Sequence, residues 1–381
     1  MQNRPGQSAQ SAAAAHNTVG QSAQSEAVAA NMTIVDDPLF LEHRADGAHP
    51  ERPERLEAAR SAVSHAALKS TRLALSPRDA SDEELGLVHH PSYLKELERA
   101  AGERGWFDPD TYYAPSSVAA ARRAAGGALS LVDSLLQKQS RFGIALLRPP
   151  GHHARPKGAM GFCLINNVAV AAAHARSLGA ARVAIVDWDV HHGNGTQEMF
   201  YADPGVLYVS LHQFPFYPGT GAAHEVGQGE GQGYTVNVPL SAGADDAVYA
   251  AAFDRLISPI LTSYDPDLVL ISAGFDAHRR DPLAAMTLSE AGYEAMTQRI
   301  AAALPRGAAG RIGLVLEGGY DLTGLTGSLK RTLETLDQLQ SEETSSGPRT
   351  FPTPVSGRIM PIHAMELERA RDAQRDFWPL D

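Results

Sequence analysis

Four short apolar runs, Phe142 to Leu147, Val183 to Val186, Leu268 to Ser272 and Ile312 to Leu316, each end abruptly in a cluster of polar residues and glycines. Runs of this length rich in Val, Ile and Leu read as buried strands, apolar on both faces as in a parallel sheet. Between them lie longer alanine-rich amphipathic stretches, such as Val168 to Leu178 and Asp246 to Tyr264, whose spacing predicts helices. Alternation of the two is the pattern of repeated βα units, so the fold class is α/β with a central, mostly parallel sheet. A chain of 381 residues could hold one large domain or two, but strand-to-cluster junctions spread from 148 to 320 favour one continuous sheet.

The two ends read differently. Residues 1–30 are rich in Gln, Ser and Ala and repeat the hexamer Gly-Gln-Ser-Ala-Gln-Ser at 6–11 and 20–25, which predicts disorder. With only Arg4 basic and no apolar core, a targeting role is disfavoured. Gln340 to Arg349 has linker composition, and Met360 to Phe377 has helical spacing that suits an oligomerisation arm or a lid on the domain. The expected division is a disordered segment at 1–30, the chemistry-bearing domain at 31–339, and a linker with a C-terminal arm at 340–381.

Charge and cysteine content narrow the function. With 44 acidic and 33 basic residues the net charge is −11, which disfavours a nucleic-acid partner and is compatible with a cationic substrate. The one cysteine, Cys163, excludes a disulfide framework or a cysteine-rich zinc finger, and its expected job is packing beside Phe162. No apolar stretch reaches the ~20 residues of a membrane span, so a cytoplasmic location is expected.

The cluster after Val186 is Asp187-Trp188-Asp189-Val190-His191-His192-Gly193-Asn194-Gly195. If the strand's alternation continued, Asp187, Asp189 and His191 would point to one side at its C-terminal end, where open α/β sheets place their chemistry. A lone Asp-x-Asp reads as a solvated turn, but so many metal-ligating types in one run read as a metal site. The other three runs lead into Arg148-Pro149-Pro150-Gly151-His152-His153, Ala273-Gly274-Phe275-Asp276-Ala277-His278 and Glu317-Gly318-Gly319-Tyr320-Asp321, each carrying one part of a hydrolase.

At these residues the chain resembles the zinc-dependent histone deacetylase family, in the class II-like branch with bacterial deacetylases and acetylpolyamine amidohydrolases. The motifs are His49 to Leu56, Arg148 to His153, Gly161 to Asn167, Asp187 to Gly195, Ser210 to His212, Pro218 to Gly221, Gly274 to Asp276 with Asp281 to Leu283, and Leu316 to Asp321, covering about residues 33–338 in the family's order. The resemblance implies a single-domain three-layer α/β/α fold of arginase/deacetylase type. It implies one Zn2+ on Asp189, His191 and Asp276, although two carboxylates and an imidazole also suit iron(II).

By the same resemblance His153 is the proton shuttle, backed by Asn194, and His152 an electrostatic partner, backed by Asp187. Some relatives have Asp behind the second histidine; the amide of Asn194 should leave its pKa lower. Tyr320 is the expected oxyanion donor. A structural K+ is implied at the backbone oxygens of Asp187, Asp189 and His191 with Ser210 and Leu211, and a further monovalent site at Phe200, Asp203 and Val206. Phe162 and Tyr217 are expected to line an acyl-lysine tunnel with Gly161 and Leu283, where many relatives have Phe at the position of Tyr217. Trp106 and Phe107 are expected at the rim, and Asp110 on the substrate backbone or ammonium. An acyl-lysine in protein, an acylated polyamine or a small metabolite would all fit as substrate, and a homo-oligomer is compatible with the chain.

Two other readings compete. A binuclear manganese ureohydrolase would need further bridging carboxylates, whereas Asn194 and the single carboxylate of Phe275-Asp276-Ala277-His278 favour one metal. A catalytically inactive acyl-amine binding protein would be expected to have lost the tyrosine, a histidine or a ligand, and all are present.

Overall fold

The computed structural model describes residues 31–304, 310–343 and 352–380. The segment 1–30, expected to be disordered, and most of the expected linker lie outside the described residues. The strands are β1 (Asn31–Val35), β2 (Thr71–Leu75), β3 (Gly105–Trp106), β4 (Tyr112–Tyr113), β5 (Phe142–Ala145), β6 (Val183–Asp187), β7 (Val206–Gln213), β8 (Thr235–Leu240), β9 (Leu268–Ala273) and β10 (Ile312–Leu316). The helices are α1 (Glu54–His65), α2 (Asp82–Leu85), α3 (Pro91–Arg99), α4 (Ser117–Leu136), α5 (Asn167–Ser177), α6 (Asn194–Phe200), α7 (Asp246–Ala252), α8 (Ser258–Tyr264), α9 (Glu290–Ala303), α10 (Leu322–Glu343) and α11 (Pro361–Gln374).

Eight strands form one sheet in the order β2-β1-β5-β10-β9-β6-β7-β8, and every neighbouring pair is parallel. The mostly parallel sheet expected from the apolar runs is thus wholly parallel. Helices α4, α5 and α6 pack on one face. The other face carries α1, α10, α9 and α7, which completes three layers. On α10, Leu325, Leu329, Leu333, Leu336 and Leu339 recur at steps of three and four and are all buried, a stripe that seats the helix between α1 and α9. Helix α4 approaches the chain before α2 closely at Gly126, where a Cβ would meet the Arg78 carbonyl oxygen at 1.8 Å.

Because all eight strands run the same way, their C-terminal ends share one edge. The four central strands, β5, β10, β9 and β6, are the four whose apolar runs end in chemical groups. The sheet order therefore brings together residues that lie up to about 170 positions apart in the chain.

Two local features depart from the sequence reading, and the C-terminal arm takes one of the two places it allowed. The stretch Asp246 to Tyr264 is not one helix: a π turn at Phe253–Ile257 separates α7 from α8, with the Ser258 amide bonded to the Phe253 carbonyl. Pro259 follows; it has no amide to donate and its ring crowds the carbonyl four residues back, which a widened turn relieves. Helix α10 runs to Glu343, past the expected linker start at Gln340. The C-terminal arm lies on its own domain: Leu367 and Ala370 are buried, Gln374 Nε2 donates to the Thr235 carbonyl (2.7 Å), and Trp378 Nε1 donates to the Gly233 carbonyl (2.8 Å). Helix α11 thereby covers the outer strand β8. Among the described residues no helix is long and apolar enough to cross a membrane.

Candidate active site

Strand β6 stops at Asp187, so its two-residue alternation does not carry on to Asp189 and His191. The in-line trio of Asp187, Asp189 and His191 is therefore not the set that converges. Asp187 turns to other partners: Oδ2 lies 3.0 Å from His152 Nδ1 and accepts from the Tyr208 hydroxyl (3.0 Å), and Oδ1 accepts from the Asp189 amide (3.2 Å). Asp276, from the end of β9, takes its place. Ligating atoms of Asp189, His191 and Asp276 all lie within 4.8 Å of one another, the one such group of three among the described residues.

Backbone amides hold the two carboxylates in place. His191 N donates to Asp189 Oδ1 (3.0 Å), Gly318 N to Asp189 Oδ2 (2.8 Å) and Val190 N to Asp276 Oδ1 (2.8 Å). Asp276 Oδ2 is buried without a hydrogen bond, 3.2 Å from His191 Nδ1. Burial first, and Asp189 second, push Asp276 up to about 7, as expected for two carboxylates that need a cation between them. A Cβ at residue 318 would come within 2.2 Å of Asp276 Oδ2 and 2.5 Å of Asp189 Oδ2, so only glycine leaves this space open. The donor set and the unpartnered oxygen fit one divalent ion.

His152 and His153 follow β5, their rings 4.0 Å apart. Burial pulls His152 down, but Asp187 and Asp189 outweigh it and hold the imidazole well above its ordinary range. His153 Nδ1 lies 2.9 Å from Asn194 Oδ1, and burial, with His152 and His191 adding to it, holds this ring well below its ordinary range. The two adjacent imidazoles are thus driven in opposite directions.

Sequence reasoning gave no role to Glu317, which is fully buried at the end of β10; its Oε2 accepts from the Gly151 (2.6 Å) and His152 (3.2 Å) amides and so fixes the histidine loop. It also missed Asp281, whose Oδ2 accepts from the Tyr320 amide (2.6 Å), and the buried cluster of Glu51, Arg55 and Arg148. Arg55 Nε donates to the Gly319 carbonyl (2.7 Å), its guanidinium also binds the Glu317 carbonyl, and it lies 4.9 Å from the centre of the Tyr320 ring. The signals were a glutamate between an apolar strand and Gly-Gly, and charged residues in the His49 to Leu56 segment.

Phe162 and Tyr217 flank the histidines and Tyr320 from different sides. The Phe162 ring stands edge-on to Tyr320 (5.9 Å), and Tyr217 stands edge-on to His153 (5.2 Å) and His191 (6.1 Å). Phe162 has φ +69°, and at Gly161, φ +57°, a Cβ would come within 2.4 Å of His153 Cδ2. Leu283, Tyr320 and His49 line a cavity of about 580 Å³. Asp110 is half-buried and accepts from the Thr111 hydroxyl (3.0 Å); burial first, and then Asp110 and Asp108, push the Tyr217 phenol up. Trp106 is exposed beside His49, as expected of a rim. Phe107 is not at the rim: its ring packs on Tyr113 (4.7 Å) against a secondary apolar cluster. Cys163 is buried, its Sγ 3.3 Å from the Gly161 carbonyl. Ser210 pairs with Asp187 across β6 and β7, and its hydroxyl lies 2.9 Å from His212 Nδ1. Asp203 is engaged by Arg176 (3.1 Å) and by the Gly205 amide (2.8 Å).

Comparison with known proteins places the chain in a family. The histone deacetylase domain model matches residues 49–336. Histone deacetylase 15 of Arabidopsis thaliana is 41% identical over 337 residues, 87% of this chain and 59% of that protein. A probable deacetylase of Archaeoglobus fulgidus is 41% identical over 287 residues, 75% of this chain and 80% of that one. Human polyamine deacetylase HDAC10 is 42% identical over 348 residues, 86% of this chain and 49% of its own. The chain thus spans only about half to three fifths of the first and third of these relatives. The crystal structure of the HDA15 HD domain superposes with a TM-score of 0.82 at 39% identity, covering 91% of this chain and 97% of that one. With its matched segment running from His49 into α10, and with the four strand ends that bear the candidate site inside that segment, this chain belongs to the histone deacetylase family.

Proposed function

We propose that the protein is a zinc-dependent amidohydrolase that removes acetyl or related acyl groups from acyl-lysine or acylated amines. The observation that carries this reading is the convergence of Asp189, His191 and Asp276 within 4.8 Å at the sheet edge that also bears His152, His153 and Tyr320. A divalent ion bound there supplies Lewis-acid polarisation of an acyl carbonyl and acidifies a water.

The chain's own groups do the rest. His153, neutral because it is buried, takes a proton at Nε2 while Nδ1 faces Asn194, and returns it to the departing amine. His152, held cationic by Asp187 and Asp189, stabilises the negative charge that develops on oxygen as the carbonyl becomes tetrahedral. The Tyr320 hydroxyl donates to the oxyanion as the carbonyl becomes tetrahedral. Arg55 at the Gly319 carbonyl and Asp281 at the Tyr320 amide fix the segment that carries this phenol. Four buried acids, Asp187, Asp189, Asp276 and Glu317, surround the site, an excess of negative charge that favours a K+ held by the backbone oxygens of Asp187, Asp189, His191 and Leu211 with Ser210.

Phe162, Tyr217 and Leu283 are read as the walls around the aliphatic stem of the substrate, with Asp108 and Asp110 near its cationic remainder. Tyr217→Ala is then expected to raise KM for an acetyl-lysine peptide by roughly tenfold with a smaller change in kcat, because stacking is lost in ground and transition states alike. A tyrosine serving only as core would instead cost ~3 kcal/mol of stability and leave the kinetics of the folded enzyme unchanged. Melting temperature and KM of this one variant separate the two.

Relatives named for histone and for polyamine deacetylation leave two substrate classes within the reading. A panel of acetyl-, longer acyl- and trifluoroacetyl-lysine peptides with acetylated polyamines, assayed on zinc-loaded protein, tests it. Release of the acyl acid from at least one class is expected. No turnover of any member would favour a non-catalytic binding protein.

A further inference from the structure

The side chain of Asn194, at the start of α6, meets His153 at one end and Met160 at the other. Oδ1 lies 2.9 Å from His153 Nδ1, and Nδ2 donates to Met160 Sδ at 3.4 Å. Among the described residues the carboxamide has no other hydrogen-bonding partner. Its two ends have nearly the same shape and opposite chemistry, so their orientation is set only by what surrounds them.

That orientation decides which nitrogen of His153 carries the proton. With Oδ1 facing the ring, the proton sits on Nδ1 and Nε2 keeps a lone pair. With the carboxamide turned over, Nδ2 would donate to Nδ1, the proton would move to Nε2, and the ring could no longer accept one there. His153 is buried and its Nδ1 faces an uncharged carboxamide, so the choice at issue is between its neutral tautomers.

Among the described residues, one neighbour of Asn194 discriminates between its two ends. Met160 and Asn194 line a cavity of about 600 Å³ together with Arg155, Gln197 and Tyr201. Water in that cavity could donate to an oxygen or accept from an amide nitrogen, so it favours neither orientation. A thioether accepts weakly and never donates, so it is compatible only with Nδ2. The Met160 backbone is itself fixed: its amide donates to the Cys163 carbonyl (3.1 Å) and the Cys163 amide donates back (2.9 Å).

We propose that Met160 is a positioning residue for the proton shuttle, its sulfur holding the Asn194 carboxamide so that His153 stays in the Nδ1–H tautomer with Nε2 free. The kinetic part of this inference rests on the role given to His153 above; the tautomer part does not.

Met160→Leu removes the acceptor at similar volume. In zinc-loaded protein labelled with ¹⁵N at histidine, the His153 resonances, assigned by comparison with His153→Gln, should show the Nδ1–H form in the wild type and a shift toward Nε2–H in Met160→Leu. On a substrate the enzyme turns over, kcat should fall about fivefold with KM unchanged, the worth of one weak hydrogen bond. Asn194→Asp supplies the control, since both carboxylate oxygens accept and its orientation no longer matters. In that background Met160→Leu should change neither tautomer nor kcat. An unchanged His153 tautomer in Met160→Leu, or an equal kcat loss in both backgrounds, would overturn the proposal. If the wild type turns over no acylated amine, the proposed function fails, and the resonances still decide the role of Met160.

Discussion

Tyr320→Phe is expected to retain its fold and its bound metal and to lose ~100-fold or more in kcat. The hydroxyl is the only atom removed, and it has its acceptor only when charge develops on the acyl oxygen, so the loss belongs to the transition state and is worth on the order of 3 kcal/mol. The ring itself stays where it is: Arg55 lies 4.9 Å from its centre, Phe162 stands edge-on at 5.9 Å, and Asp281 holds the backbone amide. KM should change little. His153→Ala should lose as much or more in kcat, since the group proposed to carry the proton is gone. An unchanged kcat in Tyr320→Phe would put the oxyanion donor elsewhere.

Substitution of Asp189, His191 or Asp276 by Ala should abolish stoichiometric zinc binding and activity together. Each contributes one ligating atom to a group of three, and two remaining donors do not make a stable site for a divalent ion. Asp276→Ala is the most informative of the three. Its Oδ2 lacks a hydrogen bond and is repelled by Asp189, while its Oδ1 accepts from the Val190 amide, so the two effects of its removal oppose each other and the apoprotein should melt close to the wild-type apoprotein. Metal analysis and calorimetry on the same preparation read both effects. Zinc retained at one equivalent per chain would remove Asp276 from the ligand set.

The chemistry was legible along the chain wherever a single strand end carries it. Ile312–Leu316 stands in the structure with the bounds read from its apolar run, and the polar cluster that follows it includes Tyr320. Reading failed where tertiary contact overrides local pattern. Asp187 shares a run with Asp189 and His191, but the strand ends beneath it, and its orientation follows Tyr208 and His152 instead. Glu51 and Arg148 lie 97 positions apart in the chain, and no periodicity announces that their charges meet in a fully buried pair. Phe107 follows exposed Trp106 and looked like a second rim residue, yet it faces Tyr113 because the short hairpin of β3 and β4 turns the two side chains apart. The order of the strands, which brings β5, β10, β9 and β6 side by side, was likewise not written in any one of them.

The central claim is that Asp189, His191 and Asp276 hold a divalent ion on which removal of an acyl group from an amine depends. Its most direct test is turnover of an acetyl-lysine peptide, and of an acetylated polyamine in parallel, by the same protein as prepared, after chelation, and after return of one equivalent of zinc. Activity that is lost with the metal and restored by one equivalent per chain is the predicted result; a chelated, metal-free protein that keeps full turnover would contradict the account.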